Sequence, residues 1–136
     1  MHLLTDSHSH LDHFPPEEIA GVLDRARSAG LGMIICAGTT LDSSIACINL
    51  SKQYKILFAG VGIHPMNLQT VLTDSTYKTM EALVYSNPKV VCISEVGLDF
   101  LPQSPNHEIQ YQAFRRQIGL AREMRKPIIF HSRASE

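Results

Sequence analysis

Val90-Val91-Cys92-Ile93-Ser94-Glu95-Val96-Gly97-Leu98-Asp99 is the stretch whose reading decides the fold. It opens as an almost wholly apolar, β-branched run, the composition of a strand covered on both faces, as the strands of a parallel α/β sheet are. It then carries a carboxylate, Glu95, to the strand's end. A charge there needs a cation or a strong partner, because desolvating an unpaired carboxylate is prohibitive.

Outward from this stretch the same kind of run recurs at about Leu3 to His8, Met33 to Ala37, Ile56 to Ile63 and Ile128 to His131. Segments of helical period lie between the runs, and that alternation is the signature of βα units. The first helix is predicted to open at Pro15-Pro16, where missing N–H groups cost nothing, and to stop at Gly30, burying Ile19, Val22, Leu23 and Ala26. The second begins at an Asp42 cap and presents Ile45 and Ile48. The third begins near Asp74, buries Tyr77, Met80 and Val84, and ends before Asn87-Pro88. The fourth runs from about Asn106 to Arg125. Ile109, Ala113, Phe114, Ile118, Leu120, Ala121 and Met124 fall in one half of its wheel, and Arg115, Arg116, Arg122, Glu123 and Lys126 in the other, which reads as a solvent face.

Composition bounds the partners. The chain has 136 residues, 44% apolar and 18% charged, with mean hydropathy −0.02, which excludes both a disordered segment and a membrane protein. Twelve Lys/Arg against thirteen Asp/Glu give a net charge of −1, so no broad basic surface for gripping long nucleic acid is expected. Cys36, Cys47 and Cys92 are odd in number and form no CxxC, indicating neither a disulfide frame nor a cysteine-type zinc site. No basic region leads into a long apolar run after Met1. A reduced, cytoplasmic chain without a membrane anchor is therefore predicted.

In a parallel sheet all strands point one way, so the residues that end them gather along one rim. Those residues are His8 and His10, then His64, then Glu95 and Asp99, then His131 and Arg133. Four of the seven histidines choose this rim, which favours a metal site. His8 and His10 in Asp6-Ser7-His8-Ser9-His10-Leu11-Asp12 point to one side of a strand, where they either take a cation together or are simply solvated. Asp6 is either an acceptor that fixes an imidazole tautomer or a turn residue. Glu95 either bridges cations or pairs with Arg133, and Asp99 either joins the site or caps the following loop. His131 is either a ligand or a satisfied core residue, while Arg133 offers a fork for a phosphate or carboxylate. His64, in Gly60-Val61-Gly62-Ile63-His64-Pro65, is read as facing substrate or supporting a ligand, not as a ligand itself; the glycines allow close backbone approach. His2, His13 and His107 default to the surface.

These residues resemble the TatD family of metal-dependent deoxyribonucleases, within the amidohydrolase-like group of barrel enzymes. Asp6 to Asp12, Gly62-Ile63-His64-Pro65, Ser94 to Asp99, Gln112-Ala113-Phe114, Gln117-Ile118 and Pro127 to Arg133 carry the resemblance along essentially the whole chain. It implies an α/β fold of the (β/α)8 TIM barrel type. It also implies two divalent ions (Zn, Mn or Mg), with His8 and His10 holding one, Glu95 bridging both and His131 holding the second. The reaction implied is metal-assisted hydrolysis of DNA phosphodiesters, with Glu95, His64 and Arg133 as catalytic residues. Ser94 stands where many family members have Gly, a change expected to be silent. The family pattern continues with a further His and Asp that do not occur before Glu136.

Residues 1–136 are accordingly expected to form a single hydrolase domain truncated at its C-terminal side, with about five strands and four helices of a barrel that takes about 250 residues. Two other readings remain. One is a hydrolase of the same architecture acting on an amide, lactone or aminoacyl ester, since fold does not choose substrate. The other is a non-catalytic half-barrel, with self-association through its open edge.

Overall fold

Each of the five apolar runs forms a strand in the computed structural model, which describes residues 4–135. In chain order the elements are β1 (Leu4–Ser9), a 3-10 turn (Leu11–His13), α1 (Pro16–Ser28), β2 (Leu31–Ala37), α2 (Leu41–Gln53), β3 (Leu57–Val61), a second 3-10 turn (Pro65–Asn67), α3 (Asp74–Ser86), β4 (Val90–Asp99), α4 (His107–Glu123) and β5 (Ile128–Arg133). The expectations for His2 and Leu3 lie outside the described residues.

All neighbouring strands pair in parallel, in the order β1-β2-β3-β4-β5. That order separates two α/β architectures of similar composition. A doubly wound sheet reverses its strand order at a switch point, whereas a barrel adds each strand beside the last. The sheet is of the barrel type, and every strand end reaches the same rim. Ile19 and Leu23 of α1, Ile48 of α2, Met80 and Val84 of α3, and Leu120 of α4 pack with Ile34, Leu57, Val61, Ile93 and Val96 of the strands into one core. Leu4 and Phe130 are exposed on the two edge strands. Among the described residues no helix is long and apolar enough to cross a membrane.

Several local expectations change. The cap of α2 is Thr40, whose hydroxyl accepts the Ser43 N–H at 3.0 Å, and not Asp42, which lies in the first turn. Starting there, α2 buries Ser44, Cys47, Ile48 and Ser51 and leaves Ile45 exposed. On α4 the buried stripe is Gln110, Ala113, Gln117, Leu120 and Ala121, and Ile118 faces out. The opposite side of α4 is not all solvent face either. Arg116 donates to the Leu72 carbonyl and to Asp74, and Glu123 accepts the Tyr77 hydroxyl, so these residues dock α3 and the segment before it. β4 continues past Glu95 to Asp99 because β5 keeps pairing with it, matching Gly97 with His131 and Asp99 with Arg133.

Close strand approach depends on two glycines. A Cβ on Gly62 would lie 2.6 Å from the Ser94 carbonyl carbon, and one on Gly97 would collide with the carbonyl oxygen of His131. Gly97 also has φ +143°, a conformation that side-chain-bearing residues rarely adopt. Ser94, which faces Gly60, has a buried hydroxyl without a hydrogen-bond partner among the described residues.

Gly97→Ala is expected to destabilise the fold by at least about 3 kcal/mol, because strain and steric collision act together. Ser94→Ala keeps the Cβ, deletes the unpaired hydroxyl and should stabilise by about 1 kcal/mol. Urea unfolding followed by circular dichroism measures both changes.

Candidate metal centre

The Glu95 residue is only 7% exposed, and four imidazoles surround its carboxylate. Oε2 lies 3.1 Å from His8 Nε2 and 3.5 Å from His10 Nε2. Oε1 lies 3.4 Å from His131 Nδ1 and 3.8 Å from His64 Nε2. The four histidines come from β1, the residues just after it, the exit of β3, and β5, so the rim inferred from strand ends is one cluster in space. The carboxylate divides it into His8 and His10 on one oxygen, and His131 and His64 on the other.

Hydrogen bonds to the other ring nitrogens determine what each imidazole can offer. Nδ1 of His10 donates to the Ala37 carbonyl at 3.1 Å, which leaves the Nε2 lone pair of the neutral ring toward Glu95. His131 is held the other way. Its Nε2 donates to Asp99 Oδ2 at 2.8 Å and leaves the Nδ1 lone pair toward Glu95. Two lone pairs thus face two carboxylate oxygens at 3.5 and 3.4 Å, an arrangement that is repulsive unless a cation or proton lies between them. His64 differs in kind. Its Nδ1 accepts the Met66 N–H at 3.1 Å, so the neutral ring carries its proton on Nε2 and aims a donor at the site. Burial pushes the His64 imidazole below its ordinary value and the neighbouring His131 adds to this, with Glu95 opposing, which favours that neutral donor.

The supporting residues differ from those singled out in the sequence. Asp6 accepts the His8 backbone N–H at 3.1 Å, a turn contact that leaves both rings untouched. The acceptors that orient imidazoles are the Ala37 carbonyl and Asp99. The Asp99 carboxylate is fully buried and does two things at once: Oδ1 caps the following loop, accepting Leu101 N–H and Ser104 Oγ, while Oδ2 holds His131. Burial pushes the Asp99 carboxyl up. The hydrogen bonds from Ser104, His131 and Leu101, with the nearby Arg133 charge, outweigh that effect and hold it at about 2. Arg133 has its Nε 3.8 Å from Asp99 Oδ2 and does not pair with Glu95; more than half of its side chain is exposed at the rim. His13 is on the surface as expected, stacked at 5.3 Å on His10, and His107 stacks on Phe100.

Two buried glutamines on α4 also brace the rim. Gln117 accepts Ile63 N–H at 2.8 Å and donates to Ile63 O, fixing the backbone just before His64. Gln110 makes the same pair of bonds to the amide and carbonyl of Asp99. Removing either glutamine would leave backbone groups unpaired at about 1–3 kcal/mol each. By contrast, the exposed Arg116–Asp74 pair contributes at most about 1 kcal/mol. Polar residues seven apart inside an apolar stripe were the signal for Gln110 and Gln117.

The family described as TatD related DNase matches residues 5–136. This chain belongs to the TatD family. It is similar to the uncharacterized metal-dependent hydrolase YjjV of Escherichia coli (strain K12), 36% identical over 131 residues that cover 94% of this chain and 50% of the relative. The crystal structure of that TatD homologue superposes with a TM-score of 0.88 at 32% identity, covering 97% of this chain and 51% of the other. The 3'-5' ssDNA/RNA exonuclease TatD of Edwardsiella piscicida is 33% identical over 117 residues, covering 85% of this chain and 44% of that protein. This chain spans about half the length of the curated TatD relatives it matches.

The low Asp99 value has a consequence for acid stability. A carboxyl held below its unfolded value of about 4 stabilises the fold above that pH, and the contribution is lost as pH falls toward 2. Asp99→Asn should flatten this acid limb when stability is measured by urea titration from about pH 4 down to about pH 2.

Proposed function

We propose that the rim cluster holds two divalent cations and that the protein hydrolyses phosphodiester bonds of single-stranded nucleic acid. The observation that carries this reading is the pair of lone pairs, His10 Nε2 and His131 Nδ1, turned on opposite oxygens of one buried carboxylate. His8, His10 and Glu95 Oε2 would hold one ion, and His131 with Glu95 Oε1 the other. Neutral imidazoles and a bridging carboxylate suit Zn or Mn better than Mg. When bound, such ions lower the pKa of water and offset the charge that develops on phosphoryl oxygens.

The chain's own residues supply orientation and charge. Asp99 and the Ala37 carbonyl hold the ligand rings in one tautomer, as acceptors behind ligating histidines do. His64 presents its Nε2–H to the substrate side of Glu95 and can donate to a phosphate oxygen. Arg133, exposed beside Asp99, is placed to fork a non-bridging oxygen. A substrate gripped by these few groups fits a chain of net charge −1. Relatives named as 3'-5' ssDNA/RNA exonucleases support single strands over duplexes and phosphorus over carbonyl carbon as the point of attack. The three buried, unpaired thiols fit a reducing compartment, and we place the protein in the cytoplasm.

Glu95→Gln in the protein carrying this chain is expected to abolish metal-dependent degradation of single-stranded DNA and to remove both Mn2+ equivalents seen by calorimetry. Unchanged turnover would overturn the reading. Asp99→Asn should weaken Mn2+ binding roughly 10- to 100-fold, because it loosens His131 without deleting a ligand.

A further inference from the structure

Asp12, Cys36 and Cys47 form a second group of donors that the proposed reaction does not use. Asp12 follows the first 3-10 turn's opening residue, Cys36 is the penultimate residue of β2, and Cys47 lies on the inner face of α2. Both cysteines are fully buried, and the Asp12 side chain is 3% exposed. The Cys47 thiol donates to Cys36 Sγ at 3.0 Å, and the Cys36 thiol donates to Asp12 Oδ1 at 3.5 Å. The other carboxylate oxygen, Oδ2, accepts the Ser43 hydroxyl at 2.6 Å. The three donor atoms lie within 4.8 Å of one another.

Among the described residues the Asp12 carboxylate has one hydroxyl donor and one weak thiol donor, with the His13 Nε2 at 3.6 Å from Oδ2. We propose that Asp12, Cys36 and Cys47 form a site for a thiophilic divalent cation of the zinc class. The donor set and spacing fit. With Zn–S of about 2.3 Å and Zn–O of about 2.0 Å, tetrahedral edges are about 3.5 Å for sulfur to oxygen and about 3.8 Å for sulfur to sulfur. The Asp12–Cys36 separation already has the first value, and the sulfurs need to part by less than an ångström. Ser43 keeps Oδ2 occupied and so orients Oδ1, as hydrogen bonds behind ligating carboxylates do.

The charge also balances. Two thiol protons leave to solvent as one doubly charged cation enters, so the carboxylate's single negative charge is all that is buried before and after. Without a cation the Cys47 thiol is pushed far up by its contact with Cys36 and by burial. Entry is available from the outer side, where a cavity of about 310 Å³ lined by Asp12, Phe14, Ile19, Leu50 and Tyr54 reaches the carboxylate. Bound there, the ion would tie the turn after His10 to β2 and α2, one residue from the Ala37 carbonyl that orients His10.

Co2+ titration of the 136-residue chain tests this, because only thiolate ligands give a sulfur-to-cobalt charge-transfer band in the near ultraviolet. The rim cluster, which has nitrogen and oxygen donors alone, cannot produce one. One equivalent should raise the band with release of two protons, Zn2+ should abolish it by displacing Co2+ without further proton release, and Cys36→Ser or Cys47→Ser should remove it while Cys92→Ser retains it. Should the cysteine variants not fold, Asp12→Asn, which keeps both thiols, is expected to bind Co2+ in this band at least tenfold more weakly. Absence of the band in the unaltered chain, its survival in either cysteine variant, or unchanged affinity in Asp12→Asn would overturn the proposal. A Cys36–Cys47 disulfide in place of cation uptake would overturn it equally.

Discussion

A single carboxylate, Glu95, buried among four imidazoles, is the constraint around which the rim is organised. Removing an ionised carboxylate from water costs several kcal/mol even after local relaxation, so the fold has to compensate it within the width of one strand end. A parallel sheet wound in sequence order does this by bringing β1, β3 and β5 to the same edge as β4. Gly62 and Gly97 then let the neighbouring strands approach closely enough for side chains to meet across β4. The core beneath is ordinary in composition. What is specific is the precision with which its upper edge is held, by Gln110 and Gln117 from α4 and by Asp99 from β4 itself.

The arrangement of protons matters as much as the distances. His10 and His131 approach Glu95 through different ring nitrogens, because one is anchored through Nδ1 to a backbone carbonyl and the other through Nε2 to a carboxylate. His64 is anchored through an accepted bond and therefore turns a donor inward. Three imidazoles at similar range thus differ in what they turn toward Glu95, two a lone pair and one a donor, and the difference lies entirely in the atoms behind them.

Strand identity, strand direction and the gathering of His8, His10, His64, Glu95 and His131 were legible from periodicity, because apolar runs and strand ends are patterns of residue type. The anchoring atoms were not. The Ala37 carbonyl belongs to a residue with no chemical signature, and Asp99 read equally well as a loop cap, which it also is. Asp6, a better candidate by proximity in sequence, spends its carboxylate on a backbone amide. Ile118 and Ile45 were misplaced because a wheel assigns faces by hydrophobicity, whereas the buried stripes of α2 and α4 admit serine and glutamine where a strand end needs partners.

The same logic bears on the cysteines. Counted along the chain, three thiols without a CxxC gave no metal signal, since spacing rules describe ligands supplied by one local knuckle. Cys36 and Cys47 are brought together by β2 and α2 packing, and Asp12 reaches them only because the chain turns sharply after His10. Donor softness then divides cations between the two places. Imidazole and carboxylate at the rim accept a range of divalent ions, while paired thiolates favour the softer ones. On that division, a cation at the rim and one at the proposed Cys36–Cys47 site would not compete on equal terms. The adjacency of Cys36 to Ala37 links them mechanically, because a cation that fixes the first also steadies the carbonyl on which the His10 tautomer depends.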